Sequence, residues 1–271
     1  MKILITGANG MLGMDLCPIL EKKGYSVIKT DIHNLDITDS NSCSFFFTKE
    51  IPDLVIHCAA YTNVDKAEED FSSAEKINSQ GTENIAKICA KNDIALVYIS
   101  TDYVFDGNKL EPYTPIDSTN PINNYGKTKL FGEEKVKKYC KKYYIIRTSW
   151  LYGKYGKNFI ETMISLRNKN ELTIINDQVG CPTWTIELAQ GIIEIFNKYP
   201  YGTYHICGDG ETSWYNFAKE IFSNLNTPIK LIPCSSENYP SKAKRPKYSV
   251  MKSDIPCKNW KLALKEYLAL R

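Results

Sequence analysis

Three short stretches of the chain carry the residue types that chemistry needs. Thr6-Gly7-Ala8-Asn9-Gly10-Met11-Leu12-Gly13 spaces its glycines as Gly-x-x-Gly-x-x-Gly. Glycines at that density permit a tight turn and let backbone N–H groups approach an anion such as a pyrophosphate. Tyr125 and Lys129 stand four residues apart, so a helix carries both on one face. A neighbouring ammonium favours the phenolate and lowers the tyrosine pKa. A tyrosine tuned that way can pass a proton to an alkoxide near neutral pH. Ser100 to Gly107 reads Ser-Thr-Asp-Tyr-Val-Phe-Asp-Gly, and its Thr101 hydroxyl can donate to a substrate oxygen. Each stretch alone also has a plain structural explanation: a turn, a lysine-rich helix, a hydroxyl capping backbone.

The elements around these stretches decide between the two explanations. Residues 2–6 read as a buried strand, 11–22 as a helix ending at Gly24, and 25–30 as a second strand. Asn34 to Asp39 alternates polar and apolar residues, and a helix follows to about Glu50. Apolar strand runs recur at 53–58, 94–100 and 143–149. Helical spacing covers 73–92 and 125–141. This rhythm predicts an α/β fold, a parallel sheet with helices on both faces. The glycine turn then joins the first strand to the first helix, where dinucleotides bind. Asp31 ends the second strand, where a carboxylate accepts from an adenosine ribose hydroxyl and favours NAD over NADP on charge. Asn9, Asp36 and Ile37 could equally serve that adenosine end. The 100–107 stretch falls at the carboxyl edge of the sheet, the ligand-binding edge of such folds. Residues 106–124 hold Pro112, Pro115 and Pro121 and predict a long surface loop. Beyond Gly153 the pattern loosens into helices at 157–168, 185–198, 213–225 and 258–270, with short strands near 172–176, 203–207 and 229–233.

Composition narrows the function classes. Among 271 residues, 34 Lys and Arg face 31 Asp and Glu, and 43% are hydrophobic. That is ample core material and argues against disorder. A net charge of +3 gives no support for a nucleic-acid or membrane-surface partner. No apolar run approaches the ~18–20 residues of a spanning helix, and the first residues show no signal-peptide pattern. The nine cysteines are odd in number, widely spaced and without a Cys-x-x-Cys pair. With only His33, His57 and His205 beside them, they read as free thiols in a reduced cytoplasm rather than a disulfide or metal framework.

The glycine turn, the Thr101 hydroxyl and the Tyr-x-x-x-Lys helix together resemble an extended short-chain dehydrogenase/reductase. More closely, the chain resembles the dTDP-4-dehydrorhamnose reductase family. The matching segments are Cys58 to Glu68, Ser100 to Gly107, Tyr125 to Leu130, Arg147 to Trp150, Asn176 to Gly180 with Pro182-Thr183, and Lys244-Arg245-Pro246. Met11 and Cys181 depart from common family choices, glutamine and a small residue respectively, without removing a catalytic group. The resemblance implies a Rossmann-type doubly wound sheet at 1–150, with 185–210 returning to it. It implies a smaller C-terminal α/β substrate lobe at 151–184 and 211–271.

The implied reaction reduces the C4 ketone of dTDP-4-dehydro-β-L-rhamnose with NADPH or NADH. Tyr125 would protonate the alkoxide, Lys129 would hold the nicotinamide ribose and lower the Tyr125 pKa, and Thr101 would fix the carbonyl. Gly7, Asn9, Gly10, Met11, Leu12, Gly13, Asp31, Asp36, Ile37, Ala59, Ala60 and Tyr61 would join Tyr125 and Lys129 around the cofactor. Thr62 and Val64, following the fourth strand, would line the substrate cleft with Thr101, Tyr103 and Tyr125. Trp150 would pack an apolar face of the sugar, and Arg245 would pair with the diphosphate. Some members form homodimers through a Mg²⁺ site, and Asp15 and Glu187 stand at comparable places. As exposed carboxylates on separate helices they read as merely solvated, so Mg²⁺ stays possible but is not assigned. Two alternatives stay open: a reductase of another dTDP-4-keto-6-deoxy sugar, and a non-catalytic regulatory subunit of the same fold. The intact Thr101, Tyr125 and Lys129 set argues against the second.

Overall fold

The computed structural model describes residues 1–271. The chain opens β1 (Lys2–Thr6), α1 (Met11–Lys22), β2 (Ser26–Thr30), α2 (Ser40–Lys49) and β3 (Leu54–His57). Short α3 (Val64–Glu69) and α4 (Phe71–Glu75) lead through a wide π-helical segment, Lys76–Gly81, into α5 (Thr82–Lys91). Then come β4 (Ala95–Thr101), a 3₁₀ turn at Asp102–Val104, α6 (Asn124–Tyr139), β5 (Tyr143–Thr148) and β6 (Leu151–Tyr152). The remainder is α7 (Phe159–Ser165), β7 (Glu171–Ile175), β8 (Val179–Gly180), β9 (Thr183–Trp184), α8 (Thr185–Lys198), β10 (Gly202–His205), β11 (Thr212–Ser213), α9 (Trp214–Asn224), β12 (Lys230–Cys234) and α10 (Trp260–Ala269).

Six strands form one parallel sheet in the order β10-β5-β4-β3-β1-β2. The order reverses between β1 and β3, which places a crevice at their carboxyl ends. Alternation along β1 explains the two layers. Ile3 and Ile5 face a core with Leu12, Leu16 and Leu20 of α1 and Leu188, Ile192 and Ile195 of α8. Leu4 faces the opposite core with Phe47 of α2, Ile85 and Cys89 of α5 and Val136 of α6. Each such buried aliphatic side chain contributes about 1.5–3 kcal/mol. A third core joins Tyr152, Ile160, Trp184, Phe217, Ile221, Trp260 and Leu264. It gathers α7, α9 and α10 beside the β12–β7 pair. All nine cysteines are free, and no helix is long and apolar enough to cross a membrane.

Two expectations need correction. The alternation at 34–39 forms turns, not a strand, so the run before Thr62 and Val64 is the third strand. Asp15 and Glu187 are not exposed: α1 packs on α8, and the two residues are 8% and 9% exposed. The Asp15 carboxylate accepts from the Thr185 hydroxyl, and Glu187 Oε1 accepts from the Lys258 amide at 3.0 Å.

Candidate active site

A cavity of about 640 Å³ opens along the carboxyl ends of β1, β3, β4 and β5. Strand register sets its floor. Thr6 lies beside His57, and Thr101 beside Thr148, so adjacent strands deliver their last residues to one edge. Gly7 turns the chain out of β1 at φ +67°, a conformation that disfavours side chains. A Cβ there would fall 2.7 Å from the Ala59 backbone. At Gly13 a Cβ would fall 2.6 Å from the Ala8 backbone. Gly10 is different: it is exposed on the cavity wall, and its nearest neighbour is the Gly7 carbonyl at 3.1 Å. That bare backbone at the start of α1 suits a pyrophosphate.

Asp31, Asp36 and Ile37 line the same end of the cavity, as do Met11, Leu12, Ala59 and Ala60. Asn9 does not: its amide donates to the Asp31 carboxylate, which also accepts from the His33 amide at 3.0 Å. Tyr61 is also off the wall. Its amide donates to Asn78 Oδ1 at 2.8 Å, because the π-helical segment turns buried Asn78 toward it.

Tyr125 and Lys129 both line the cavity, carried by α6, whose first turn is capped by Asn123 accepting from Gly126 N at 2.8 Å. They do not pair as the spacing suggests. Lys129 Nζ donates to the Ile99 carbonyl at 2.6 Å and sits 4.1 Å from the Tyr98 ring centroid. Burial lowers its pKa to about 7, against the pull of Glu133 and Cys58. The Tyr125 phenol is pushed above its ordinary value by burial and then by the charge of Asp102, with the Thr101 side chain acting the other way. Burial thus outweighs the expected lowering of Tyr125 by Lys129, whose Nζ bonds β4 rather than the phenol. The result keeps Tyr125 protonated, the form a proton donor needs.

Thr101 ends β4, 6% exposed, and donates to Asp102 Oδ1 at 3.0 Å. Asp102 Oδ2 is buried without a partner, and burial lifts this carboxyl to about 7. Thr62, Val64 and Tyr103 line the wall toward the C-terminal residues, and the Tyr103 ring meets Tyr125 edge-on at 6.0 Å. Trp150 adopts φ +45° and stacks flat on Trp214 with ring centroids 3.4 Å apart, both on the wall.

Arg245 is not on the wall. Its guanidinium forks onto Asp65, with Nη2 at 2.8 Å from Oδ2 and Nη1 at 3.3 Å from Oδ1. A planar fork matches a carboxylate as well as a phosphate, and Asp65 lies in reach. Sequence reasoning missed Thr148, Lys157 and Trp214 on the wall. Trp214 sits in the 213–225 helix, and its aromatic size was the only signal available.

The family model described as RmlD substrate binding domain matches residues 1–270. The chain belongs to the dTDP-4-dehydrorhamnose reductase family. A crystal structure of a dTDP-4-dehydrorhamnose reductase from Clostridium acetobutylicum is 47% identical, covers 100% of this chain and 99% of that one, and superposes with a TM-score of 0.97. The Bacillus anthracis enzyme of the same name, solved in complex with NADP, is 40% identical over 100% of this chain and 99% of that one, also at 0.97. Among curated relatives, the spore coat polysaccharide biosynthesis protein SpsK of Bacillus subtilis is 39% identical over 100% of this chain and 98% of its own.

Proposed function

We propose that this chain reduces the C4 ketone of dTDP-4-dehydro-β-L-rhamnose to give dTDP-β-L-rhamnose, using NADPH or NADH. One observation carries the reading: Thr101, Tyr125 and Lys129 share a single cavity wall with the glycine turn. The residues present fit the dinucleotide, since Gly10 offers bare backbone at a helix start and Asp31 a carboxylate at the ribose end. When bound, the reduced nicotinamide supplies the hydride. Lys129, on the same wall, would hold the nicotinamide ribose hydroxyls. Thr101 donates to the ketone oxygen, and protonated Tyr125 delivers its proton there as negative charge develops. Thr62, Val64 and Tyr103 hold the sugar, and the Trp150 face packs against the apolar side of the nucleotide sugar.

The test is turnover of purified protein with NADPH or NADH and a panel of dTDP-4-keto-6-deoxy sugars. The rhamnose precursor is expected to be the best substrate. Tyr125→Phe is expected to lower kcat by ~10²–10⁴-fold, the usual share of general acid catalysis. Folded Tyr125→Phe with wild-type turnover would remove the mechanism.

A further inference from the structure

Asp65 and Arg245 lie in segments that match the family, but neither side chain is on the cavity wall. We propose that Asp65 and Arg245 form a positioning clasp that fixes the substrate end of the cavity to the helix carrying Tyr125. The proposal rests on the reading that this cavity takes a dTDP-keto sugar.

The clasp begins with one carboxylate collecting donors from a loop some 180 residues away. Asp65 Oδ1 accepts from the Ala243 amide at 3.0 Å, the Lys242 amide at 3.2 Å and the Ser241 hydroxyl at 3.1 Å. The Arg245 fork completes the set. Lys242 adds an ion pair to Glu69, one turn along α3. The same loop is tied to α6. Asn123, which caps the first turn of that helix, donates from Nδ2 to the Lys244 carbonyl at 2.9 Å. Asn124 donates from its amide to Glu68 Oε1 at 2.7 Å and from Nδ2 to the Ala67 carbonyl at 3.3 Å. Three segments remote in sequence, 64–69, 123–125 and 241–246, thus lock together.

The lock reaches the site through direct neighbours. Val64 precedes Asp65 and lines the cavity. The Arg245 guanidinium lies beside the Tyr103 phenol, and the Tyr103 ring meets Tyr125. Pro246 packs on Gly107, at φ +80°, where a Cβ would fall 2.6 Å from the Pro246 Cβ. Partly exposed ion pairs add little stability, and the Arg245 and Asp65 side chains are 21% and 43% exposed. What a bidentate pair does supply is fixed geometry, which lysine cannot copy. Arg245 therefore acts through Asp65 and Tyr103 as a positioning residue.

The experiment compares wild type, Asp65→Asn, Arg245→Ala and the double variant by steady-state kinetics and NADPH titration. Each single change is expected to raise KM for the keto sugar about tenfold, with kcat within about threefold and NADPH affinity unchanged. The double variant should be no worse than either single, because both remove one unit. Additive losses, or Arg245→Ala exceeding Asp65→Asn tenfold, would overturn the clasp and make Arg245 a direct ligand. Hydrogen–deuterium exchange reads the clasp without turnover. Asp65→Asn should speed exchange at 241–246 and also at 123–127, and acceleration confined to 241–246 sinks the proposal. A wild type that reduces no keto sugar refutes the reductase reading, and the exchange result still decides the clasp.

Discussion

Lys129 shows how far residue type and spacing carry an argument. Its place beside Tyr125 on the cavity face of α6 was legible from the four-residue spacing. Its partner was not, because the Ile99 carbonyl comes from another strand. The same holds for Asn9, Tyr61 and Arg245, each of which is engaged by a residue distant in sequence: Asp31, Asn78 and Asp65. Burial that lowers Lys129 to about 7 has a measurable consequence. The charged form holds ribose hydroxyls best, and that form is lost as pH rises through the folded value. NADH affinity is expected to weaken between pH 6 and 8.5, by at most tenfold per unit. NADH is the right probe, since it lacks the titrating 2′-phosphate. Fluorescence titration of Lys129→Met should show weaker binding with a flatter profile; a wild-type profile that is already flat would contradict the assignment. Asp31 offers a second check at this scale. A carboxylate at the ribose end would repel a 2′-phosphate and accept from a ribose hydroxyl. Asp31→Ala is expected to cost NADH affinity and spare or improve NADPH, and equal losses by calorimetry would place Asp31 away from the ribose.

At the scale of elements, the glycine turn separates two jobs that the sequence presents as one repeat. Gly7 and Gly13 are required by the fold, because a Cβ at either meets backbone at 2.7 and 2.6 Å. At Gly10 a Cβ meets only the Gly7 carbonyl, at 3.1 Å, so its bare backbone matters chiefly to what approaches it. Gly13→Ala is therefore expected to destabilise by about 1–3 kcal/mol through overpacking, visible as a lower Tm. Gly10→Val should lower Tm only modestly and abolish binding of both dinucleotides; the opposite pattern would reverse the two roles. Long elements were legible: α1 and α8 fall on their predicted bounds, since their apolar residues repeat over three turns or more. The region 73–92 was legible as helical but not as three pieces. A π-helical segment widens one turn, and apolar spacing at 74, 77, 85 and 86 does not register that shift. Six-residue α3 is too short to show a period at all. Yet these two unread pieces carry Asn78, which holds Tyr61, and Asp65, which holds Arg245.

For the whole molecule, the sheet buries two histidines that the sequence offered only as weak metal candidates. His57 at the end of β3 lies between Thr6 Oγ1 at 2.6 Å and Thr82 Oγ1 at 3.1 Å, near Tyr98 and the Lys129 charge. His205 at the end of β10 pairs through Nδ1 with the Tyr113 carbonyl at 3.1 Å. Burial lowers both to about 3. Unfolded histidine titrates near ~6.5. Between those values the unfolded chain holds a proton that the native state refuses, so each histidine makes the fold less stable as pH falls. The slope is at most about 1.4 kcal/mol per pH unit for each. Asp102, lifted by burial to about 7, acts in the opposite direction over much of the window, as do the raised carboxyls of Asp15, Glu187 and Asp254. The total slope therefore mixes opposing groups, and a difference between two proteins isolates one of them. His57→Gln keeps a side chain able to bond Thr6 and Thr82 but cannot titrate. Its stability relative to wild type, from urea unfolding, should improve as pH is lowered from 6.5 to 4.5, by about 1.4 kcal/mol per unit at most. A difference that stays constant across those pH values would mean that His57 is protonated in the native state. The neutral hydrogen-bonded link between β1, β3 and α5 would then be wrong.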